Sequence, residues 1–155
     1  MTVDELSIVV ARARGSLAEL RWDDFFDDAY ELGKLLVIEP RLAATPKLAQ
    51  FVEDSVPALR EHHVDLMFFP GSVVRRFRGI WEGPEWEQLC VARSGLQFFV
   101  ELFNAPLADN LADFDTGYVD ELIRERGHEG HLADDEIPRG IPRSHWWWWY
   151  PRPAA

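Results

Sequence analysis

Trp86-Glu87-Gln88-Leu89-Cys90-Val91-Ala92-Arg93-Ser94-Gly95-Leu96-Gln97-Phe98-Phe99-Val100-Glu101-Leu102-Phe103 repeats its apolar residues at three- and four-residue steps. Trp86, Leu89, Cys90, Leu96, Phe99, Val100 and Phe103 fall on one wide stripe, the period of an α-helix buried against a core. Gly83-Pro84 opens the segment, and Asn104 with Pro106 supplies the stop. A strand would alternate apolar and polar residues, and this stretch does not.

The same period recurs on the N-terminal side. Val3, Leu6, Val10, Ala13, Leu17 and Leu20 mark an amphipathic helix behind a Thr2-x-x-Glu5 capping box. Trp22, Phe25, Phe26, Ala29, Gly33, Leu36 and Val37 mark a second helix, which Pro40 closes. The two form an antiparallel hairpin. Thr45-Pro46 reads as an N-cap followed by a first helical residue, with Leu48, Phe51, Val52 and Leu59 at helical spacing beyond it. Pro57 is expected to kink or split that helix, because its ring removes a hydrogen bond and clashes one turn back. Val64–Phe69 fits either a short buried strand or a helix end, terminated by Pro70-Gly71, after which Ser72 caps a short basic helix through Phe77. A last helix is expected over Thr116–Arg126, with Tyr118, Val119, Leu122 and Ile123 facing inward and Gly127 as its cap. The expected fold is all-α: a compact bundle of five or six helices over residues 1–127, followed by an irregular Pro/Trp-rich arm over 128–155. In the arm, Pro138, Pro142, Pro151 and Pro153 with Gly130 and Gly140 oppose regular structure.

Composition narrows the function classes. The 155 residues carry a net charge of -11, which opposes phosphate binding and argues against nucleic acid and anionic membranes. No apolar run reaches the roughly 18 residues of a membrane span. The acidic start Met1-Thr2-Val3-Asp4-Glu5 is unlike a secretory leader, and the single Cys90 forms no internal disulfide, so a soluble cytoplasmic protein is expected. Residues 139–155 reverse the charge balance, with Arg139, Arg143 and Arg152 and no acid.

That basic end contains Trp146-Trp147-Trp148-Trp149-Tyr150, and Trp146–Trp149 are four of the seven tryptophans of the chain. Consecutive rings match neither helix nor strand periodicity and need a cover. Three readings stand. The arm folds back between helices with arginines stacked on indoles. Alternatively Trp146, Trp147, Trp148, Trp149 and Tyr150, with Arg143 and Arg152, anchor a protein partner. In the third reading, the arm is an aromatic peptide presented for modification.

Asp23-Asp24-Phe25-Phe26-Asp27-Asp28 places Asp23 one turn from Asp27 and Asp24 one turn from Asp28. These residues resemble the aspartate-rich DDxxD motif of class I terpene synthases and prenyltransferases. The resemblance implies magnesium held by Asp23 and Asp27 and a bound diphosphate. The resemblance covers six residues, and the family's second motif of Asn, Ser and Glu is absent. Read on its own, the basic run Arg75-Arg76-Phe77-Arg78 either pairs with the surplus acids or offers Arg76 as a phosphate grip beside those aspartates. The bland reading of the aspartates is an acidic first turn suited to the helix dipole.

The histidines at 62, 63, 128, 131 and 145 form no metal-ligand spacing on a helix. His62-His63 reads as a helix terminus, and His128 and His131 as solvated loop residues or donors to carboxylates. Cys90, between Leu89 and Val91, is expected to be buried and inert. With no complete catalytic motif and no cofactor implied, the favoured function is an acidic binding protein, immunity-type or inhibitory, engaging a basic protein partner. A small magnesium-diphosphate enzyme and a precursor of a modified peptide are the alternatives.

Overall fold

The computed structural model describes residues 2–75, 86–121 and 132–149, with side chains from residue 4 onward. It is all-α, and no strand occurs among the described residues. Among the described residues seven α-helical segments follow in order: α1 Thr2–Ala18, α2 Trp22–Ile38, α3 Pro46–Glu61, α4 His63–Leu66, α5 Phe69–Arg75, α6 Trp86–Phe103 and α7 Ala108–Phe114. A 3-10 turn over Pro40–Ala44 joins α2 to α3.

Helix α2 is the centre of the bundle, packed against α1 on one side and α6 on the other. The crossing with α6 is set by two glycines: a Cβ at Gly33 would sit 2.7 Å from the Gly95 Cα. At that distance two helix backbones touch, and any larger residue at either position forces them apart. Around the crossing, the rings of Phe26, Phe69, Phe99, Phe103 and Phe51 form a continuous chain with centroid separations of 5.3, 4.9, 4.6 and 5.7 Å. Such pairs contribute about 0.5–1.5 kcal/mol each beyond burial. They tie α2, α5, α6 and α3 into one core.

Two of the four long helices, α1 and α6, close on a residue of positive φ. Leu20 (φ 55°) follows α1, and the Arg21 and Leu20 amides donate to the Ser16 and Leu17 carbonyls. Asn104 (φ 49°) follows α6, and the Ala105 amide donates to the Val100 carbonyl. These are Schellman closures, which satisfy carbonyls that the helix end would leave open. Asn104 therefore stops α6 as its sequence implies, while a leucine does the same work after α1.

Several local expectations are corrected. Pro57 does not split α3, which runs unbroken from Pro46 to Glu61. Pro57 and Glu53, whose carbonyl loses its partner, are both exposed, so water can take the missing bond. Thr45 precedes α3 but makes no side-chain cap; its hydroxyl donates to the Leu42 carbonyl. Val64–Phe69 is helical, split between α4 and α5, and Pro70-Gly71 lies in the first turn of α5 instead of ending a segment. Proline fits there because first-turn amides have no intrahelical acceptor. Ser72 sits inside α5 and its hydroxyl donates back to the Phe69 carbonyl. The last helix begins at Ala108, eight residues before the expected Thr116, and widens into a π turn over Asp115–Val119. The arm is not wholly extended: Asp134–Glu136 and Trp146–Trp149 each form a 3-10 turn. The Thr2 cap, Gly83-Pro84, Arg76 to Arg78, Leu122, Ile123, Gly127, His128, His131, Tyr150 and Arg152 lie outside the described residues.

Candidate functional site

Helix α6 presents different chemistry on successive faces. Gly95 meets α2, Phe99 and Phe103 enter the ring chain, and Cys90, Arg93 and Ser94 face the arm. The arm reaches this face along the 3-10 turn after α2, where Gly140 lies so close to Pro40 that a Cβ would stand 2.5 Å from its ring. Ile137, Ile141 and His145 are buried along the way. Trp147 and Trp148 finish in the core, 2% and 0% exposed.

One hydroxyl holds both indoles. The Trp147 and Trp148 Nε1–H groups donate to Ser94 Oγ at 3.0 and 2.7 Å, and His145 Nδ1 lies 2.8 Å from the same oxygen. A serine hydroxyl accepts two hydrogen bonds and donates one. With both acceptor sites taken by indoles, its proton goes to His145 Nδ1, so the imidazole is neutral and carries its own proton on Nε2. Trp147 Nε1–H is shared with the Cys90 carbonyl at 3.2 Å, and Cys90 Sγ–H points to the Trp147 carbonyl at 3.4 Å. Burial and the Glu87 charge push the Cys90 thiol pKa up, which leaves it inert.

The arm is also gripped electrostatically. Arg93, almost fully buried, donates to both Asp115 carboxylate oxygens at 2.6 and 3.0 Å and to Gln97 Oε1 at 3.1 Å. Its guanidinium carbon lies 4.2 Å from the Trp147 ring centre, and that of Arg143 lies 4.8 Å from the Trp149 ring. His145 stacks on Trp147 with centroids 4.8 Å apart and lies against Phe98 at 5.0 Å. Trp146 and Trp149 are half-buried at the edge. Trp147 and Trp148 are therefore covered by their own chain, and Trp146 and Trp149 only in part.

Reasoning from the sequence missed Ser94, Arg93 and the burial of His145. A polar pair, Arg93-Ser94, interrupting an apolar helix was the available signal.

The aspartate-rich turn divides by environment. Asp28 is buried beside Ser16 Oγ, 3.4 Å away, and Arg12 Nε, 3.3 Å away. Desolvation raises its pKa against the opposing Arg12 and Ser16 contacts. Asp24 pairs with Arg21 at 2.7 Å. Asp23 and Asp27 share an open cleft of about 370 Å³ with Ser72 and Arg75 of α5. Among the described residues no three His, Cys, Asp or Glu side chains converge as a metal cage. His62 forms the junction of α3 and α4, the helix terminus expected of it.

Comparison with protein-family models, with characterised proteins and with solved structures finds no match to this chain.

Two outcomes follow from the Ser94 junction. Ser94→Ala leaves the Trp148 N–H and the His145 Nδ1 without a buried partner, at about 1–3 kcal/mol each, and leaves the Trp147 N–H to the Cys90 carbonyl alone. Urea unfolding monitored by tryptophan fluorescence should show a loss of several kcal/mol, and a loss below about 1 kcal/mol contradicts the shared hydroxyl. For His145, burial is the main cause that pushes the pKa down to about 4 from an ordinary 6.5, with Arg93 lowering it further against Glu101. The unfolded chain therefore takes up this proton first. Stability is full above about pH 6.5, falls as pH drops towards 4 and is flat in this component below, a loss of roughly 3 kcal/mol. His145→Gln should flatten that part of the pH profile.

Proposed function

We propose that the chain is a small acidic binding protein, of the immunity or inhibitor kind, that engages a basic protein partner. The net charge of -11 is the observation that carries this reading, because a field of that size selects and accelerates encounter with positive surfaces. The packing of the arm supports a division of labour. Trp147 and Trp148 serve the fold, so the recognition surface is the acidic body, with half-buried Trp146, Trp149 and the Arg143 cation at its edge. No helix among the described residues is long and apolar enough to cross a membrane.

A specific partner captured from the source organism should be strongly basic. Its association rate should fall at least about tenfold between ~50 and ~500 mM salt, because steering is screened within a few ångströms at high salt. An acidic partner, or an association rate indifferent to salt, contradicts the proposal.

The cleft shared by Asp23, Asp27, Ser72 and Arg75 favours a second reading, a magnesium-diphosphate site. Magnesium binds through one or two carboxylates together with phosphate oxygens. On this reading pyrophosphate with magnesium raises the melting temperature and Asp27→Ala removes the increase. Absence of any shift in the unaltered chain dismisses it.

A further inference from the structure

We draw no further inference here: the strongest candidate, the open groove of about 360 Å³ between α5 and α7 beside the exposed side chains of Val64, Met67 and Phe68, is an apolar face for which nothing in the structure shows what covers it.

Discussion

Ser94 Oγ is the point on which the C-terminal third of the described fold depends. Two indoles and an imidazole converge on this one oxygen, and its single proton and two lone pairs match them one for one. Removing a tryptophan ring from water is worth on the order of 4–6 kcal/mol, but only if the indole N–H finds an acceptor. Consecutive rings multiply that demand. A helix interior offers few acceptors, since its carbonyls are already bonded, and a serine in an otherwise apolar helix supplies the missing one.

The demands on α6 explain its composition. It needs a glycine where α2 crosses, phenylalanines where the ring chain runs, and a serine and a cysteine where the arm docks. Arg93 completes the set by pairing with Asp115 while its guanidinium lies over Trp147. A buried charge is tolerated here because both carboxylate oxygens and a glutamine meet it. The arm, α6 and the π turn after α7 are thereby linked through one side chain.

Much of this architecture is legible in the residues alone. The stripes on α1, α2, α3 and α6 follow a 3.6 period over long segments, and Asn104 and Pro40 act as the boundaries they resemble. Short elements were harder to read because local chemistry competes with context. Pro70-Gly71 has the appearance of a stop, yet proline is equally suited to a first helical turn, and only tertiary packing of Phe69 decides between them. The start of α7 was hidden because its apolar residues are few and its polar side faces water. Whether Pro57 would end α3 could not be read locally, since the cost of a helical proline depends on whether the orphaned carbonyl is wet. The arm's aromatic run announced that something must cover it, but Ser94 was invisible as the acceptor: nothing local to α6 shows which rings will arrive from fifty residues away.

Exchange of the indole protons of Trp147 and Trp148 with deuterium, followed by NMR on the full chain, tests the shared-hydroxyl junction most directly. If both N–H groups are held on Ser94 in a dry interior, their exchange is as slow as global unfolding permits and accelerates in parallel as pH falls towards 4 and His145 gains its second proton. Exchange of either indole at the rate of an exposed tryptophan, under conditions where the α2–α6 amides remain protected, would contradict it.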